Sequence, residues 1–385
     1  MTLDRAVVDG VRARLVDQGD TPTTRSVVAA LRENGRVLDS DRLQQLVGQL
    51  RSDLAGLGPL DRFRTMPDVT DILVNGCDGV WIDRGNGLER TDVHFPDDAA
   101  VLRLVRRLVN AAGRRIDDAH PYADVQLPGA IRLHAVLPPV VERVCVSLRT
   151  ARPVAFTLPE LVASRTVAPQ IADALSELVG SRLAFVVSGG TGSGKTTILS
   201  SLLGMVDRAS RIVLVEDTRE LNPSHQHVIR LQSRAANIEG QGAISLRDLV
   251  RQALRMRPDR LVVGEARGAE MVDLLAALNT GHEGGCGTLH ANTARDVPAR
   301  VEALVAVGGL DRGAAHSQLA SALDAVVHLA RRIDGTRYVA SIDTLEAGSG
   351  GLVSTRTAWC CDAAGTVTTG TGLDRWLELV GRRVP

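Results

Sequence analysis

The stretch LAFVVSGGTGSGKTTILSSLLGMV, from Leu183 to Val206, constrains the fold more than any other part of the chain. A short apolar run predicts a buried strand, a glycine-rich turn follows, and a second apolar run at helical spacing predicts a helix. Gly189 to Thr196 satisfies G-x-x-x-x-G-K-[ST], and the strand before it and helix after it are the context in which that pattern binds phosphate. Gly189, Gly190, Thr191, Gly192, Ser193, Gly194, Lys195, Thr196 and Thr197 are therefore the expected phosphate-binding residues. Glycines let backbone N–H groups turn inward, the helix N-terminus adds positive potential, and the Thr196 hydroxyl is available to Mg²⁺. Lys195 is the only lysine among 45 Lys and Arg residues. A slender ammonium fits inside such a loop as a compact charge where a planar guanidinium does not.

Strands and helices alternate beyond this point, through RIVLVED, a helix from Ser245, RLVVGE, a further helix and CGTLHAN. Continuous apolar strands between helices predict a parallel sheet covered on both faces. Ligands in such sheets sit outside the carboxyl ends of the strands. Ser188, Glu216 and Glu265 stand at three such ends, with Asp217 and Glu220 just beyond the second. Phosphoryl transfer to water needs a metal-holding acid and a group that orients water, and these carboxylates are the candidates. His282 and His290 lie in TGHEGGCGTLHAN, a loop suited to sensing the γ-phosphate. Metal binding by these two with Cys286 is the alternative, at a spacing that matches no standard zinc module. Ser245 and Asp248 form a predicted capping box for a helix that buries Leu246, Leu249, Val250, Ala253 and Leu254 and delivers Arg255 and Arg257 beside the next strand.

Five regions are expected. Residues 1–55 form a helical preface, with Val7, Val8, Val11, Leu15, Leu43, Leu46 and Leu50 at helical spacing. Residues 56–150 form a small α+β domain of short strands, with one helix capped by Asp97 that buries Val101, Leu102, Val105, Leu108 and Val109. Residues 151–165, punctuated by proline, are a linker, residues 166–345 form the phosphate-binding domain, and residues 346–385 are peripheral. The net charge of zero and 2% aromatic content give little support to nucleic-acid binding, which needs basic charge and stacking rings. No direct nucleic-acid contact is expected. The five cysteines include no C-x-x-C pair, which suits a reduced, cytoplasmic setting, and no run of about 18 apolar residues predicts a membrane span.

Four ordered motifs carry a family resemblance: GGTGSGKTT, EDTREL, LVRQALRMRPDRLVVGEARGAE and TGHEGGCGTLHAN. Together with GLGPLDRF, VTDILVNG, RLHAVLPP and SLR, they resemble the secretion-superfamily ATPases of type II and type IV secretion and of tight-adherence pili, over residues 56 to 345. Eight positions separate His282 from His290, similar to the tight-adherence and type IV secretion branch, and the four-cysteine insert of many type II members is missing. The actinobacterial conjugal-transfer-associated members are the most similar. The resemblance implies a RecA-like α/β P-loop domain behind the smaller α+β domain, assembled as a homo-hexamer that hydrolyses ATP with Mg²⁺. It implies that Glu220 polarises the attacking water, that Glu265 holds Mg²⁺ with Thr196 and Asp217, and that His290 senses the γ-phosphate. Arg132 and Arg149, and less strongly Arg143, match positions from which the amino-terminal domain reaches the nucleotide. It further implies work on integral platform proteins at the inner face of the cytoplasmic membrane, for pilus assembly or secretion. Conjugal DNA export, a nucleic-acid-dependent P-loop ATPase and a nucleotide-gated scaffold without turnover are the alternatives.

Overall fold

The computed structural model describes residues 10, 11, 14, 23–33, 39–64, 66, 69–85, 87–150, 154–234, 236 and 240–382. Val7, Val8 and Leu15 of the expected preface lie outside these residues. Contacts divide the chain into two units, Met1–Ala151 and Arg152–Pro385. Among the described residues no helix is long and apolar enough to cross a membrane.

In the first unit, helices α1 (Thr24–Glu33) and α2 (Ser40–Ala55) close on a small core of Val11, Val27, Ala30, Leu31, Leu46, Val47 and Leu50. The preface is tied to the α+β domain, because Ser52 Oγ donates to the Gly58 carbonyl at 2.6 Å and Arg107 donates to the Gly56 carbonyl. A one-turn helix, α3 (Asp61–Arg64), leads into an antiparallel sheet of order β3-β2-β1-β6-β5-β4. These strands are β1 (Asp71–Asn75), β2 (Val80–Asp83), β3 (Leu88–Arg90), β4 (Tyr122–Leu127), β5 (Ile131–Val136) and β6 (Cys145–Thr150). Helix α4 (Asp98–Ala111) covers one face, and its N-cap Asp97 accepts from the Ala100 amide. The helix buries Val101, Leu104, Val105, Leu108 and Val109. Leu104 thus takes the place expected of Leu102, because residues three apart share a helical stripe and neighbours do not.

The second unit has three layers. Its nine-stranded sheet runs β15-β14-β13-β12-β7-β11-β10-β8-β9. The parallel strands are β7 (Phe185–Gly189), β8 (Ile212–Glu216), β9 (Val228–Gln232), β10 (Arg260–Val263), β11 (Cys286–His290) and β12 (Ala325–Arg331). Alternation along them feeds two cores. Phe185, Val187, Ile212 and Leu214 point to one face, beneath α5 (Leu158–Ala163), α6 (Pro169–Gly180) and α7 (Lys195–Gly204). Val186, Val213, Val215, Leu261 and Val263 point to the other, beneath α8 (Leu246–Ala253), α9 (Glu270–Leu278), α10 (Val297–Val307) and α11 (Arg312–Ala322). The Ser245–Asp248 capping box opens α8 as expected, while Leu254 is only partly buried.

Two expected boundaries are corrected. Of the region expected to be peripheral, residues 346–382 are not: β13 (Arg337–Ala347), β14 (Val353–Cys361) and β15 (Val367–Thr369) extend the sheet antiparallel from β12. Helix α12 (Leu373–Gly381) then seats Trp376, fully buried, against Trp359 with ring centroids 4.8 Å apart. Trp376 Nε1 also donates to Glu177 of α6 at 3.0 Å, which locks the tail to the core. Nor is 151–165 a free linker throughout. Thr157 and Glu160 form a capping box for α5, and Leu158 and Leu161 belong to the second unit's core.

Candidate functional site

Strand β7 ends at Gly189, whose φ of 148° opens the phosphate loop. A side chain is excluded there, since a Cβ would stand 2.6 Å from the Leu329 carbonyl oxygen. Gly194, with φ of 96°, caps α7, and Lys195 is that helix's first residue. The ammonium folds back over its own loop, where Nζ donates to the Gly189 carbonyl at 3.0 Å and the Gly190 carbonyl at 2.9 Å. Burial is the main influence on Lys195 and lowers its pKa, while Glu265 and then Glu220 pull the other way. Ser193 is 3% exposed, and its Oγ has no hydrogen-bond partner among the described residues. A loop with an orphaned hydroxyl and an ammonium folded onto its own carbonyls is a cradle made for an anion.

The sheet order carries the acids to this cradle. Strand β11 lies beside β7 with His290 opposite Gly189, and β10 lies beside β11. His290 Nδ1 accordingly stands 3.4 Å from Lys195 Nζ. Its Nε2 stands 2.7 Å from Glu265 Oε1, a close approach without hydrogen-bond alignment. Glu265 is also ion-paired with Arg267. Burial lowers the His290 pKa first and Lys195 lowers it second, against the pull of Glu265, so the neutral ring is favoured.

Glu220 reaches the loop from β8, and Thr196 Oγ1 lies 3.4 Å from its Oε2. Its main chain is anchored by Glu216, a strand-end residue 3% exposed. Glu216 Oε1 accepts from the Glu220 amide at 3.0 Å and the Leu221 amide at 2.8 Å. Burial raises the Glu216 pKa, and the two amides act against it. Gly264 makes room for this carboxylate, because a Cβ there would lie 2.7 Å from Glu216 Cγ. The sequence marks Glu216 only as one acid among several; its anchoring role depends on the buried contact. Asp217 behaves differently from its neighbours, and its Oδ1 accepts from Ser233 Oγ at 2.7 Å.

Lys195, Thr196, Glu220, Glu265 and His290 are thus gathered at one group of strand ends. His282 is not among them, for its Nδ1 lies 3.2 Å from the Ala277 carbonyl at the far end of β11. Cys286 begins that strand and is buried, its thiol pushed up to about 12. Five strand residues place Cys286 and His290 about 13 Å apart along the chain, so the alternative metal site has no geometry. Among the described residues no three His, Cys, Asp or Glu side chains cluster to cage a metal. Mg²⁺ does not need such a cage, since it keeps several waters and takes phosphate oxygens with one or two protein groups. Thr196 and Glu265 fit that requirement, and Asp217 has one of its two carboxylate oxygens, Oδ1, taken by Ser233 Oγ.

In the first unit, Arg132 on β5 and Arg149 on β6 are register partners on adjacent strands. Arg132 Nε donates to Asp124 at 3.0 Å, and Arg149 Nε to Asp71 at 3.0 Å. Both are thereby brought side by side on one sheet face. Arg143 is bound elsewhere, by Asp98 and Asp78, which raise its pKa. Arg255 donates to the Arg251 carbonyl at 3.1 Å, and Arg257 ends its helical turn at φ of 53°.

Known proteins are similar to this chain in sequence and in fold. Residues 53–370 match the family profile described as "Type II/IV secretion system protein". A Mycobacterium tuberculosis protein whose name assigns it provisionally to conjugal transfer is 53% identical over 320 residues, spanning 81% of this chain and 91% of its own. Conjugal transfer protein TrbB of Rhizobium radiobacter is 30% identical over 274 residues, spanning 70% of this chain and 81% of its own. Among solved structures, the pilus retraction motor PilT with bound ADP shares the fold at a TM-score of 0.53 and 19% identity, over 84% of this chain and 86% of that one. The ATPase DotB of Legionella pneumophila does so at 0.50 and 18%, over 72% and 77%.

Proposed function

Because this chain belongs to the type II/IV secretion system protein family, we propose that it is an ATP-hydrolysing motor that works as a homo-hexamer on integral platform proteins at the inner face of the cytoplasmic membrane. One observation carries the reading: a buried ammonium in a phosphate loop stands within 3.4 Å of a histidine that itself contacts a strand-end carboxylate.

Each residue then has a task. Lys195 exchanges its loop carbonyls for β- and γ-phosphate oxygens, and the loop amides bind the same phosphates. Thr196 and Glu265 would hold Mg²⁺, which neutralises phosphate charge when bound. Glu220, its main chain pinned by Glu216, orients the attacking water. His290, neutral near pH 7, donates its ring N–H at the γ-phosphate position and reports the departure of that group to Glu265. Arg132 and Arg149 stabilise charge on the transferring group after exchanging Asp124 and Asp71 for phosphate oxygens.

The 53% identical relative favours export of the conjugal type over pilus assembly, and pull-down of the full chain with either a DNA-coupling protein or a pilin platform separates the two. Turnover is tested on purified protein. Wild type should release phosphate from Mg-ATP, Lys195→Ala should lose nucleotide binding, and Glu220→Gln should keep nucleotide while losing at least about a hundredfold in kcat. A wild type with nucleotide affinity but no turnover would make it a scaffold. Stimulation by single-stranded DNA would support the nucleic-acid-dependent alternative.

A further inference from the structure

Strand β12 runs parallel to β7, with His328 opposite Ser188 and Leu329 opposite Gly189. Ser188 Oγ and His328 Nδ1 are 2.9 Å apart, so the base of the phosphate loop is fastened to β12 by a buried hydrogen bond as well as by the strand ladder. The end of β12 therefore emerges alongside the loop. Its last residue, Arg331, is exposed and reaches the loop's outer turn. Nε and Nη2 of Arg331 donate to the Gly192 carbonyl oxygen at 3.2 and 2.8 Å.

This contact decides which way a peptide group faces. In a planar trans peptide the oxygen of one residue and the N–H of the next point in opposite directions. Arg331 holds the Gly192 oxygen outward, so the Ser193 N–H points inward, where it donates to the Gly190 carbonyl at 3.3 Å. Gly192, with φ of 67°, has no side chain of its own to resist a flip of that plane. Two donors meeting on one oxygen fix its direction in a way a single donor does not.

We propose that Arg331 is a positioning residue of the phosphate loop, which keeps the Gly192–Ser193 peptide turned so that its amide faces the phosphates. The inference rests on the reading of this loop as the nucleotide site. Arg331 acts through the peptide and not by touching nucleotide. An inward amide serves ATP, ADP and the transition state alike, so its loss falls on Kd and KM and spares kcat.

The test is ADP binding by calorimetry and steady-state Mg-ATP kinetics on the full chain as wild type, Arg331→Ala, Arg331→Gln and Arg331→Lys, with an unfolding midpoint for each. Arg331→Ala should weaken ADP binding and raise KM by about five- to tenfold, with kcat within about twofold. Arg331→Gln, which keeps an N–H donor without the charge, should recover part of the loss. Amide exchange across 190–194 should quicken in Arg331→Ala and less so in Arg331→Gln. The inference is overturned if Arg331→Ala binds ADP as tightly as wild type. It is overturned equally if Arg331→Gln is as weak as Arg331→Ala while Arg331→Lys matches wild type, since charge alone would then be responsible. A wild type that binds no ADP would overturn the nucleotide reading and this inference together.

Discussion

His290 and Glu265 meet at 2.7 Å across the ends of two neighbouring parallel strands. The imidazole stands between that carboxylate and the phosphate-loop ammonium, and it is of the side-chain type that titrates nearest neutrality. If His290 senses the γ-phosphate as proposed, His290→Ala should lower kcat by about ten- to a hundredfold while leaving ADP affinity within about threefold, because ADP lacks that phosphate. Single-turnover hydrolysis beside ADP titration separates the two effects; equal losses in both would assign His290 to general loop packing.

Two histidines give the fold a pH dependence of definite sign. Burial lowers the pKa of His290 and of His328 below the ordinary 6.5, and Asp343, the Asn292 backbone and Asp296 only partly restore the latter. Between the lowered folded values and 6.5 the unfolded chain binds more protons, so stability rises with pH through that window and levels off above it. Denaturant midpoints from about pH 5 to about pH 7.5 should show this slope in the difference between wild type and His328→Gln, where opposing contributions from other groups cancel. That variant has no proton to gain there.

Glu216 has the opposite linkage. Its pKa is raised by burial, so its ionisation opposes folding, and this stability is present below the ordinary 4.5 and is lost as pH rises through the folded value. Glu216→Gln keeps an oxygen for the Glu220 and Leu221 amides and should unfold within about 1 kcal/mol of wild type near pH 7. Glu216→Ala leaves both amides unmatched and should cost about 1–3 kcal/mol, with the Glu220 loop exchanging faster. Equal stability of the two variants would remove the anchoring argument.

Trp376 should be among the most sensitive positions of the second unit, although it stands near the chain's end. Its ring is fully buried, edge-on to Trp359 and bonded to Glu177. Trp376→Ala should cost about 3–5 kcal/mol in denaturant unfolding. Trp376→Phe, which loses the N–H but keeps most of the area, should cost less.

The phosphate loop, its flanking strand and helix, and the acids at strand ends are contiguous patterns, and contiguity is what a sequence displays. The approach of His290 to Lys195 depends on β11 inserting beside β7, an order no local spacing encodes. Arg331 is more remote still, one arginine among many, identified only by the strand that delivers it. Proline is a misleading signal at 151–165, where Pro159 opens a helix instead of punctuating a loop. The tail reads as periphery because its buried residues, Val353, Ala358, Cys361, Trp376 and Leu379, are too widely spread along the chain to make a periodic signal.

The outermost strand on one margin of the nine-stranded sheet, β15, is three residues long. An incoming extended segment would find only a few open main-chain donors and acceptors there, too few to seed a ladder. So short a margin shuts one route to fibrous overgrowth and leaves side-chain surfaces to govern how any two copies meet.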